Sequence, residues 1–99
     1  MAIEDSIIIK LAEYLKGIFD LTGIYLFGSV VNGNFSDESD IDVAIFIKDY
    51  NNRSLKDFAK AQFYIQNNIS SRIELHFFPD QPLPLTFPDY VMNTGQKVA

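Results

Sequence analysis

The sequence predicts an α/β (α+β) domain, a small mixed β-sheet flanked by helices, on three observations. Apolar residues recur at helical spacing in two stretches, around residues 6 to 19 and 54 to 68. Two runs, 40 to 48 and 71 to 78, follow the strand period of two. Helical and extended segments alternate along the chain and are separated by Gly, Pro, Asn and Asp, which places helices against a sheet.

The first helix is expected over residues 6 to 19, with Ser6 as N-cap and Ile8, Leu11, Ala12, Leu15 and Phe19 on its buried stripe. Gly17 or Gly23 marks the exit into a short strand, Ile24-Tyr25-Leu26-Phe27, which delivers Gly28-Ser29. Residues 29 to 39 read as a loop or short helix, with turn chemistry at Asn32-Gly33-Asn34 and Ser36-Asp37. A second strand follows over about 40 to 48 and is broken by Asp49-Tyr50-Asn51-Asn52. Ser54 then caps a second long helix that Asn67-Asn68 stops. The third strand, Ser71 to Phe78, sets Arg72, Glu74, His76 and Phe78 on one face and Ile73, Leu75 and Phe77 on the other. Past the prolines at 79 to 84, Pro88 and Gly95 bracket a last short helix. The order of strands in the sheet is not readable from this pattern.

Composition narrows the chemistry. At 99 residues the chain reads as a single domain, 1–99, and its 47% hydrophobic content with nine Phe is that of a globular protein. A net charge of −5 argues against direct nucleic-acid binding, which normally shows as clustered Lys and Arg. The absence of Cys excludes thiolate metal sites and Cys nucleophiles, and leaves zinc only His76 and carboxylates to draw on. No stretch is long enough for a spanning helix, and Met1-Ala2-Ile3-Glu4-Asp5 lacks the basic start of a signal peptide, so a cytoplasmic location is expected.

The period of two puts Asp40 and Asp42 on one face of the second strand, with Ala44 and Phe46. Two carboxylates pointing the same way from a buried strand are costly unless a cation binds between them. Oxygen ligands of this kind suit Mg²⁺, which takes one or two carboxylates plus the phosphates of its substrate. Upstream, Gly28 lets backbone approach a ligand closely, and Ser29 offers a hydroxyl and an amide to phosphate oxygens. Glu74 adds a mid-strand carboxylate, on an edge strand if it instead faces solvent. His76 shares its face, from which it could reach the site rim, though as a lone histidine it reads first as structural or solvent-facing.

Gly28-Ser29, ten residues, then Asp40-Ile41-Asp42-Val43-Ala44-Ile45 resembles the signature of the polymerase-beta-like nucleotidyltransferase superfamily. The small size resembles its minimal nucleotidyltransferase (MNT) group. The resemblance implies the nucleotidyltransferase fold and ATP held by its phosphates at Gly28 and Ser29. It also implies two Mg²⁺ ions at Asp40 and Asp42, with Glu74 binding the second metal or acting as base. Two such ions suit in-line NMP transfer with release of pyrophosphate. One departure stands out. Family members commonly carry a basic residue soon after Gly-Ser, and Val30-Val31-Asn32-Gly33 has none. Arg72 is the better positioned substitute, ahead of Lys48, Arg53 and Lys56.

MNT members are similar to antitoxins paired with HEPN-domain toxins, so the resemblance implies a HEPN-like partner chain whose tyrosine receives AMP. Aminoglycoside nucleotidyltransferases use small-molecule acceptors but usually carry an added helical domain. The alternative is a catalytically weak or inactive module of the same fold that acts by stoichiometric protein binding, for which Phe77, Phe78, Phe87 and Tyr90 are the candidate surface.

Overall fold

Residues 4–32 and 39–99 are described in the computed structural model. In them the chain runs α1 (Asp5–Lys16), β1 (Leu21–Phe27), α2 (Ser29–Asn32), β2 (Ile41–Ile47), α3 (Leu55–Asn68), β3 (Ile73–Pro79), α4 (Phe87–Thr94) and β4 (Gln96–Lys97). The turns expected over Gly33-Asn34 and Ser36-Asp37 lie outside the described residues. The four strands form one mixed sheet in the order β3-β2-β1-β4. β1 is antiparallel to both of its neighbours, and β2 is parallel to β3. Parallel neighbours need a crossover, and α3 supplies it.

Each face of β2 meets a different layer, as the period of two requires. Ile41, Val43, Ile45 and Ile47 pack with Leu11 and Leu15 of α1 and Ala61 and Ile65 of α3. On the other face Ala44 and Phe46 pack with Val91 of α4, bordered by Tyr25, Phe27, Phe78 and Met92. Among the described residues it is α4 that covers this second face, and Asp42 sits in the part of that face nearest the start of β2. Phe77 turns to the α1–α3 side, stacked on Phe58 with ring centroids 4.5 Å apart. Phe78 turns to the α4 side.

Several boundaries differ from the sequence expectation for local reasons. α1 starts at Asp5 with Glu4 in the N-cap position, and the Ser6 hydroxyl donates to the Glu4 carboxylate at 3.5 Å instead of capping the helix. It ends at Lys16, and Phe19 is buried in the turn beyond. β1 begins at Leu21, and Gly23 lies inside it at a register irregularity, so Gly17 alone marks the exit from α1. Ser54 does cap α3, in a reciprocal pair in which the Asp57 amide donates to Ser54 Oγ at 3.3 Å and the Ser54 amide to Asp57 Oδ2 at 3.1 Å. Pro88 lies in the first turn of α4, with Thr86 in the N-cap position. Gly95 leaves α4 in an extended conformation, where a Cβ would stand 2.7 Å from the Val91 carbonyl oxygen.

β3 is an edge strand, and an edge strand exposes a row of unpaired amides and carbonyls. Gln62 of α3 closes this row as a strand would. Its Nε2 donates to the Ile73 carbonyl at 2.9 Å, and its Oε1 accepts from the Leu75 amide at 2.7 Å. These two bonds bracket Glu74. Gln62→Ala leaves the Leu75 amide without that acceptor, and we expect a loss of about 1–3 kcal/mol in urea denaturation, the cost of an unsatisfied, partly buried donor. An unchanged midpoint contradicts this role.

Candidate active site

Three strand positions build the site. Phe27, the last residue of β1, pairs across the antiparallel ladder with Asp42, and Asp42 pairs across the parallel ladder with Glu74. The next same-face position along β3 is His76, opposite the small, fully buried Ala44. One ligand atom each from Asp42, Glu74 and His76 falls within 4.8 Å of the others. His76 Nε2 lies 3.3 Å from Asp42 Oδ1 and 3.9 Å from Glu74 Oε1. The three side chains remain open to solvent, with 27%, 52% and 32% of their surfaces exposed in that order. The edge of one ring meets the face of the other between Phe27 and His76, with centroids 5.2 Å apart.

Gly28 follows at φ +76°, a left-handed conformation that favours glycine. A Cβ there would stand 2.7 Å from Asp42 Oδ2, so glycine is required twice, by its backbone angle and by the carboxylate packed against it. Ser29 then opens the one-turn helix α2, in which the Val31 amide donates to the Gly28 carbonyl at 3.1 Å. Beside this turn, Phe27, Gly28, Val31, Phe87 and Tyr90 line a cleft of about 280 Å³.

Of the residues expected at the site, Gly28, Asp42 and Glu74 are thus brought together, and Ser29 follows directly. Asp40 stands exposed, immediately ahead of Ile41, and is not one of the three residues whose ligand atoms converge. His76, read from the sequence as structural or solvent-facing, occupies the cluster instead. The available signal was the strand period, which set it on the face of Glu74. The basic residues also separate. Arg53 is committed at the far end of β2, where its Nε pairs with Asp49 at 2.7 Å, its Nη2 donates to the Ile18 carbonyl and its guanidinium lies over the Phe19 ring. Burial alone would raise the Asp49 carboxyl there. The Arg53 hydrogen bond, the Asp20 and Asp49 amides and the Arg53 charge outweigh it and hold the group below its ordinary value. Arg72 precedes β3 at the site end, and its Nε donates to the Ser39 carbonyl at 3.0 Å.

A glycine-serine turn against a strand aspartate, with a second carboxylate on the adjacent parallel strand, is an arrangement for nucleotide chemistry. The family model of polymerase beta nucleotidyltransferases matches residues 9–98. The chain belongs to this family. As a nucleotidyltransferase domain of the minimal, polymerase-beta-like type, it shares its fold with a crystallised protein of Sulfolobus solfataricus described as a candidate nucleotidyltransferase. That likeness has a TM-score of 0.54 at 19% identity, over 94% of this chain and 75% of the other. No curated protein matches it in sequence.

The family uses divalent cations, and the residues here fit one. Carboxylates of Asp42 and Glu74 at paired positions repel each other unless a cation lies between them. Gly28→Ala tests the packing under this site. We expect about 1–2 kcal/mol of destabilisation from the left-handed backbone alone, more from displacement of the Asp42 carboxylate, and a weakened stabilisation by Mg²⁺ in thermal melts. Wild-type stability and an unchanged Mg²⁺ response contradict the assignment.

Proposed function

We propose that this domain is a Mg²⁺-dependent nucleotidyltransferase that moves AMP from ATP to a hydroxyl acceptor. The observation that carries the reading is the convergence of Asp42 and Glu74 beside the Gly28-Ser29 turn. Asp40, at the entrance to β2, completes the set of carboxylates. Gly28 and Ser29 receive the phosphates, where the absent Cβ leaves backbone amides accessible. Arg72 brings positive charge to the same end of the sheet, in place of the basic residue that Val30-Val31-Asn32-Gly33 lacks. The aromatic cleft beside Gly28 suits the apolar face of a nucleotide base.

In the reaction the acceptor oxygen attacks the α-phosphorus, the bond to the bridging oxygen of the β-phosphate breaks, and pyrophosphate leaves. Glu74, half-exposed at the rim, either binds the second metal, leaving the hydroxyl proton to solvent, or takes that proton itself. Asp42 and Glu74, with Asp40 at the entrance to β2 as a further carboxylate, would hold the divalent metal, which would supply charge neutralisation for the triphosphate and for the attacking and leaving oxygens. The side chains of this chain serve mainly to position and to balance charge.

For the acceptor we propose a tyrosine of a partner HEPN-domain chain, which makes this domain an antitoxin. An apolar strip beside the site supports a protein partner: Leu83, Leu85, Phe87 and Tyr90 are exposed, Leu85 at 99%. The same strip favours the second reading, stoichiometric docking without chemistry, with Phe87 and Tyr90 of the expected surface exposed but Phe77 and Phe78 packed against the two core clusters instead.

A thermal melt with α,β-methylene-ATP and Mg²⁺ tests the catalytic reading. At a hundredfold excess over Kd a native-state ligand adds about 2.7 kcal/mol of stability. We expect a clear rise in Tm for the wild type, and its loss in Asp42→Asn and in the Asp40→Asn, Asp42→Asn double variant. A flat response at saturating nucleotide contradicts catalysis and favours docking.

A further inference from the structure

The family resemblance accounts for the carboxylates at this site but not for His76. Its ring is placed by three features of this chain: the register that sets it opposite the small Ala44, the Phe27 ring 5.2 Å away, and the strand period that aligns it with Glu74. Its Nε2 stands at 3.3 Å from one carboxylate and 3.9 Å from the other. Adjacent ligand atoms around an octahedral divalent ion with bonds of about 2.1 Å lie about 3 Å apart. The imidazole nitrogen and the Asp42 oxygen are therefore spaced close to neighbours in one coordination shell, with the half-exposed Glu74 carboxylate beside them.

We propose that His76 is a protein ligand of the metal at this site, and that its nitrogen lets the site hold a first-row transition ion, probed with Mn²⁺, more tightly than the Mg²⁺ that also serves the proposed reaction. Mg²⁺ is a hard ion that prefers oxygen, whereas imidazole suits the later first-row ions such as Fe²⁺ and Ni²⁺, and Mn²⁺ stands between the two. Mn²⁺ accepts this nitrogen and keeps the octahedral, water-rich shell that phosphoryl chemistry uses. The inference rests on the metal-dependent reading of the site, and the Nδ1-protonated tautomer presents Nε2 to the ion.

His76 is the chain's one histidine, so any imidazole bound to metal in tag-free protein is its own. The direct test is pulsed electron paramagnetic resonance on tag-free protein loaded with Mn²⁺ and inorganic tripolyphosphate, which carries no nitrogen. We expect modulation from a directly coordinated imidazole nitrogen in the wild type and none in His76→Gln. The variant should bind Mn²⁺ roughly tenfold or more weakly while its Mg²⁺ affinity changes little. Bound Mn²⁺ without nitrogen modulation overturns the role of His76 and leaves the nucleotidyltransferase reading standing. Failure of the wild type to bind either ion with tripolyphosphate present overturns the metal-dependent reading itself. Because the wild-type spectrum alone decides the ligand, the test does not depend on the variant folding.

Discussion

The rest of the site depends on one electrostatic constraint: the parallel register of β2 and β3 sets Asp42 directly opposite Glu74. Two carboxylates at paired strand positions repel, and the sheet tolerates them because solvent reaches both side chains. A bound cation turns the same arrangement from a cost into an attraction.

Holding that register takes devices spread across the fold. The α1–α3 face of β2 is wholly apolar, so a one-residue slip would expose Ile41, Val43, Ile45 and Ile47 and bury the aspartate. On the outer side, Gln62 pins the edge of β3 at the amide and carbonyl that flank Glu74. On the inner side, β1 ends at Phe27, and the absence of a side chain at Gly28 lets the chain turn directly over Asp42. α4 covers the second face only as far as Phe87, whose ring meets Phe27 with centroids 5.7 Å apart. Beyond it no described residue covers the face.

Much of this was legible in the sequence because it rests on short-range rules. The period of two in residues 40 to 48 set the faces of β2, the spacing of Ile8, Leu11 and Leu15 set the stripe of α1, and Ser54 set the start of α3. What was not legible depends on pairing between distant segments. β4 is two polar residues whose strand character comes only from Tyr25 and Leu26. The bonds of Gln62 to β3 follow from how a helix lies on a strand. His76 could be placed on the face of Glu74 from its period, but its approach to Asp42 required the register between β2 and β3.

The most direct test of the account is a crystal structure of the protein grown with Mn²⁺ and α,β-methylene-ATP, with anomalous data collected near the manganese edge. The account predicts an anomalous peak in contact with the Asp42 carboxylate, on the side facing Glu74, with the phosphates of the nucleotide at the Gly28-Ser29 turn. An ordered nucleotide bound elsewhere, or a metal peak that makes no contact with Asp42, would contradict it.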